Sequence, residues 1–177
     1  YLLAFFAAEN MVVDHYYVSF MPLDDKIPFI EYFVVPYYLW FPFLVVPGLF
    51  FLIYDAEYFK RYMHFLMIGF TVSITFCILF PNGQDLRPET FPRDNVFSWL
   101  VGCIYKADTN TNVIPSMHVV GSVAVLCAIL RCPSIKSRAL KLAAIVLALL
   151  ITASTVLIKQ HSFLDIIAAA VLCVPIF

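Results

Sequence analysis

Apolar residues in this chain run on for longer than the alternation of a strand or the single stripe of a soluble helix would allow, and short polar patches separate the runs. Crossing a bilayer takes about 20 predominantly apolar residues. On that ruler the chain is predicted to span at 29–54, 63–80, 113–130 and 139–158, with a further span opening at 163. Another fills the opening residues, ending at Ala8 or continuing past Glu9, Asp14 and His15 towards Met21. Backbone groups in lipid must be satisfied within their own segment, so the spans are expected to be helices. Pro36, Pro42 and Pro47 along the second span are tolerable as kinks, and Tyr37, Tyr38 and Trp40 near one end read as interfacial aromatics. The expected fold is an all-α integral membrane protein, a six-transmembrane-helix bundle forming one domain over 1–177. Both termini lie in apolar runs and are expected to be cut, and the opening residues lack the basic flank of a signal peptide.

The connections add sidedness. Arg131, Lys136, Arg138 and Lys141 fall in one short connection without an acid, and Lys60 and Arg61 in another on the same side, which predicts that side to be cytoplasmic. Opposite it lie 22–28, 81–112 and the turn at 160–162. The stretch 81–112 is too long for a plain loop and is expected to hold structure of its own. Within it Val96, Phe97, Trp99, Leu100, Val101, Ile104 and Tyr105 form the apolar set of an interfacial helix, expected to lie over whatever site that surface carries.

Composition agrees with the pattern. Of 177 residues 63% are apolar and 13% charged, and the mean hydropathy is +0.90, well outside the range of soluble domains. A net charge of -1 gives no basic field, so nucleic acid is not expected as a partner, whereas the membrane is. No oligomeric state is read from the pattern. Five cysteines without paired spacing predict neither a disulfide framework nor a zinc site.

Three polar clusters interrupt the runs on the outer side: 81–88, 110–118 and 154–165. In the second, Pro115 suits the first turn of a helix, with Thr111 or Asn112 as its cap, which would turn free backbone N–H groups outward beside Ser116 and His118. In the third, His161 and Asp165 admit two placements. A continuous helix would put both on one face with Ser154. A turn would make Ser162 and Asp165 a capping box with His161 just ahead of it. One helix from 139 to 177 would be too long for a bilayer, which favours the turn. Each residue alone has an ordinary explanation: a satisfied helix-end histidine, a capping aspartate, or, for Arg87, an arginine snorkelling to headgroups. Their convergence on one face is what points to chemistry.

At these residues the chain resembles the type-2 phosphatidic acid phosphatase superfamily. Its second motif is matched by Pro115-Ser116-Met117-His118, its third by Ser154-Thr155, five residues, His161, three residues and Asp165, and its first by Arg87-Pro88. Phe80, Met117 and Thr155 stand where that family has lysine, glycine and arginine, and loss of the arginine is similar to the inositolphosphorylceramide synthase branch. The resemblance implies a lipid-phosphate phosphatase with its site on the extracytoplasmic side of the cell membrane and a phosphorylated lipid as substrate. His161 would attack phosphorus, Asp165 would orient it and His118 would protonate the leaving alkoxide. Arg87, Ser116 and Gln84 would hold phosphate oxygens, with Arg93 or Lys159 as stand-ins for the absent cations. The implied scheme requires no metal or cofactor. The alternatives are a lipid headgroup phosphotransferase, a metal site of His118, His161 and Asp165, and, outside enzymes, a proton-coupled transporter using the same three residues as a relay.

Overall fold

A computed structural model describes residues 15–176; the opening span expected over 1–8 or onward lies largely outside them. The described residues form a short strand β1 (Tyr17–Val18), a 3-10 turn (Glu31–Phe33), α1 (Val34–Tyr54), α2 (Ala56–Leu79), strand β2 (Asn82–Gly83), α3 (Val96–Ala107), α4 (Met117–Arg131), α5 (Arg138–Leu157) and α6 (Phe163–Ile176). The described residues are thus all-helical apart from one two-stranded pairing.

Helix α2 starts seven residues before the predicted span, because Asp55 caps it by accepting from the Tyr58 amide and Glu57 pairs with Arg61 one turn on. Hydropathy sees only the apolar part of such a helix. Asn95 and Ser137 cap α3 and α5 in the same way, each with a side-chain oxygen on amides of the first turn. A helix does form where one is expected near 96–105: it is α3, which turns Val101 and Ile104 onto Val34, Tyr37 and Ile158 and leaves Trp99 exposed.

Helix α4 stands in the middle and packs on α1, α2, α5 and α6. Its inward residues include Gly121, Ser122, Ala124 and Ala128, small side chains that let neighbouring backbones come close. The approach is tight at Gly69 of α2, where a Cβ would come within 2.5 Å of the Val120 side chain. Gly69→Ala therefore forces α2 and α4 apart.

Three helices, Glu31–Tyr54 with its 3-10 entry, Ala56–Leu79 and Arg138–Leu157, are long and apolar enough to cross a membrane. Most of their surface is not covered by protein, with Val46, Ile53 and Leu149 all exposed. The six-span expectation is met only in this coarser form. Helix α4 has 15 residues, about 23 Å at 1.5 Å each, because residues 110–114 bond to the 82–84 segment instead of extending it. Helix α6 has 14 residues, and α3 packs on the 3-10 turn, on α1 and on Ile158.

Candidate active site

The site is assembled from backbone pairing at the end of the bundle where α4 and α6 begin. Strands β1 and β2 run parallel, Tyr17 opposite Asn82 and Val18 opposite Gly83, and Gly83 bridges to Thr111 on its other side. The first two polar clusters are thereby tied together. Buried Asn82 strengthens the tie, since its Oδ1 accepts from the amides of Val113 and Ile114. Neither β1 nor this role of Asn82 is visible in the sequence.

Pairing delays the start of α4. It begins at Met117 with Ser116 as its N-terminal flanking residue, so Pro115 precedes the helix instead of opening it, and Thr111 and Asn112 belong to the pairing segment instead of capping. The Ser116 amide donates to the Asp165 carbonyl at 3.2 Å, joining the second cluster to the third. Its hydroxyl is fully buried and makes no hydrogen bond among the described residues.

The turn expected between the last two helices is present. Helix α5 stops at Leu157, Lys159 takes a left-handed backbone (φ 56°), and the amides of Gln160 and His161 both donate back to the Thr155 carbonyl. Ser162 and Asp165 then form the reciprocal cap: the Leu164 amide donates to Ser162 Oγ, and the Ser162 amide donates to Asp165 Oδ2 at 2.9 Å. Asp165 is more than a cap. Fully buried, it also lies 3.1 Å from His161 Nδ1 through Oδ2, while Oδ1 accepts from the Ser19 hydroxyl. A carboxylate on Nδ1 places the ring proton there and leaves Nε2 with its lone pair.

His118 faces His161 with ring centroids 5.7 Å apart in an edge-on arrangement. On its other sides the rings of Tyr37 and Trp40 lie 4.3 Å away, centroid to centroid. These two residues, expected at the membrane interface, instead enclose a site side chain. His118 Nε2 is buried without a hydrogen-bond partner among the described residues, as is Gln160 Oε1. Both histidines line a cavity of about 30 Å³ together with Asp108, Thr109, Thr111, Asn112, Met117 and Gln160.

The expected phosphate holders are placed differently. Gln84 is fully buried, its Nε2 donating to the Lys159 carbonyl and its Oε1 accepting from the Leu86 amide, so it braces the turn and does not face the cavity. Arg87 donates to the carbonyls of Tyr105, Asp108 and Thr109 and stacks on the Tyr105 ring, which fixes the loop that walls the cavity. Among the stand-ins, Arg93 pairs with buried Glu31 at 2.8 Å. Lys159 donates to the carbonyls of Asp24 and Ile27, its pKa held below the ordinary lysine value by burial, against which Asp24 and Asp25 act. Thr155, in the motif position of the arginine, is buried and donates to the Thr152 carbonyl within its own helix.

One residue outside the expected set matters most. Buried Asp24 accepts from the Ser162 hydroxyl at 2.6 Å and the Phe163 amide at 2.8 Å, 138 and 139 residues away in sequence, and from the nearby Met21 amide at 2.7 Å. Segment 19–28 therefore straps the turn that carries His161. The only trace in the sequence is an Asp-Asp-Lys-Ile-Pro patch with no role of its own. Among the described residues no group of three His, Cys, Asp or Glu is arranged to hold a metal ion. No family model matches this chain, nor does any curated protein or solved structure.

Proposed function

We propose that this protein is a multi-pass membrane enzyme that removes a phosphate group from a lipid phosphate, through a phosphohistidine at His161 and at the extracytoplasmic surface. The observation that carries this reading is the opposed pair of imidazoles, one oriented through Nδ1 by a buried carboxylate and the other caged by aromatic rings.

Nucleophilic attack needs a neutral imidazole with its lone pair facing the substrate, and the Asp165 contact favours that tautomer. As the N–P bond forms, the imidazolium that develops is stabilised by Asp165, whose other oxygen is steadied by Ser19. The P–O bond to the leaving alkoxide breaks and His118 Nε2 gives it a proton. A buried imidazolium needs a counter-charge, which the phosphate itself supplies, and the Tyr37 and Trp40 faces add cation–π attraction within the required 6 Å. Hydroxyl attack then breaks the P–N bond, the electron pair returns to His161 Nε2, and His118 takes the proton released.

The match to the type-2 phosphatidic acid phosphatase motifs over 115–118 and 154–165 supports the same roles. In place of the motif cations, the unpaired amides of the first turn of α4 beside Met117 and His118 supply donors for the phosphate oxygens. Admission of a headgroup requires the 108–113 wall to move outward, since about 30 Å³ holds roughly two waters. Among the described residues, the proposal counts the shorter α4 and α6 as spans beside the three longer helices.

The test is a panel of phosphatidic acid, phosphatidylglycerophosphate and polyprenyl diphosphate, with and without EDTA. Release of inorganic phosphate that EDTA does not alter is expected. Formation of a new phosphodiester without free phosphate would assign a headgroup transferase, and no turnover of any of the three would reject the proposal.

A further inference from the structure

We infer that the small cavity between the two histidines is the binding site of the hydroxyl that resolves the phosphohistidine, and that Gln160 orients that hydroxyl. The inference rests on the proposed phosphohistidine chemistry and adds a residue to it.

Two facts point to a hydroxyl. The first is size: about 30 Å³ suits roughly two waters, or a water and the hydroxyl end of an alcohol. The second is the pair of unpartnered polar atoms on residues that line it, Gln160 Oε1 and His118 Nε2, each buried and each without a hydrogen-bond partner among the described residues. A buried polar atom left unpaired costs stability, so such atoms in a native site mark where a ligand or water is received. The Gln160 amide is held in one sense. Its Nε2 donates to Asp108 Oδ2 at 2.9 Å, and a carboxylate oxygen can only accept, so the nitrogen takes that end and the oxygen is left over.

A carbonyl oxygen and an imidazole nitrogen are both acceptors when the imidazole is neutral, which is the state His118 is left in once it has protonated the first leaving group. A water has two O–H bonds to donate. One goes to Gln160 Oε1 and sets the orientation. The other goes to His118 Nε2, which removes that proton as the oxygen lone pair attacks phosphorus and the P–N bond to His161 breaks. An alcohol has one O–H, which goes to His118, so Gln160 favours water over an alcohol. Gln160 therefore acts in the second half of the cycle and has no bond to make in the first.

The experiment separates the halves. Detergent-solubilised protein is mixed rapidly with ³²P-labelled phosphatidic acid, phosphatidylglycerophosphate or polyprenyl diphosphate, and the acid-labile label on protein is followed against time. Gln160→Met keeps the side chain's length and removes the acceptor. The expected result is formation of labelled enzyme at the unaltered rate, breakdown slowed roughly tenfold, and label accumulating where the unaltered protein shows little. With glycerol added, product should shift from free phosphate towards phosphorylated glycerol in the variant. Equal slowing of both halves, or unaltered breakdown, would overturn the assignment of Gln160. Absence of labelled enzyme from the unaltered protein with all three probes would overturn the phosphohistidine reading itself. Should Gln160→Met fail to fold, Gln160→Asn, which retains the amide but withdraws it by one methylene, is expected to show the same selective slowing, and an unslowed breakdown there would count against the inference equally.

Discussion

The two ends of the helical bundle carry cavities of opposite character. Where α2 begins and α4 ends, about 270 Å³ opens between Tyr58, His64, Phe65, Cys127 and Arg131. Around it the charged groups are exposed: Arg61 pairs with Glu57 on the surface, both side chains more than 60% accessible. At the other end the cavity is about 30 Å³, but Gln160 in its wall is buried, and so are Ser19, Asp24, Asn82, Ser116, Ser162 and Asp165 in the hydrogen-bonded segments that meet there. Exposed charges can move and are screened by water, whereas buried hydrogen-bonded groups hold one geometry and act through a low dielectric. On the proposed reading, the difference teaches that the chemistry belongs with the fixed polar groups and not with the larger opening.

The sharpest way to break that contrast is to remove the imidazoles. His161→Ala is expected to abolish turnover, and His118→Ala to lower kcat by roughly 10²–10⁴-fold, the range of a lost general acid, with the helical circular dichroism of both unchanged. Next in size is Asp24→Ala. It strands the Ser162 hydroxyl and the Phe163 amide, each costing about 1–3 kcal/mol when buried and unpaired, so thermal unfolding should come earlier and kcat should fall more than KM rises. Preserved kcat in that variant would mean that the strap supports the fold without positioning His161. The smallest effect belongs to the opposite end. Arg61→Ala loses a surface i,i+4 pair worth about 0.3–0.5 kcal/mol, and activity should stay within about twofold. A large loss of activity there would erase the distinction between the two cavities.

How much of this was legible in the sequence follows the range of the interactions. Helices and caps are local, so the apolar runs gave α1, α2 and α5, and Ser162 with Asp165 gave the cap at the turn before α6. The pairing of Tyr17 with Asn82 joins segments 65 residues apart through backbone groups that carry no side-chain signature, so β1 and the delayed start of α4 were hidden. Charges were legible as residues but not as partners. Lys159 and Arg93 read as candidate phosphate cations, and it takes the fold to show one on the carbonyls of Asp24 and Ile27 and the other on Glu31. Tyr37 and Trp40 fit an interfacial belt by sequence position, and only the crossing of α1 with α4 turns them onto His118.

The central claim is that His161 bonds to phosphorus. Protein quenched in alkali during turnover of a lipid phosphate and digested for mass spectrometry should carry an acid-labile, base-stable phosphoryl group on the peptide containing His161, absent from His161→Ala. Steady turnover with that peptide unmodified at every time point would contradict the account.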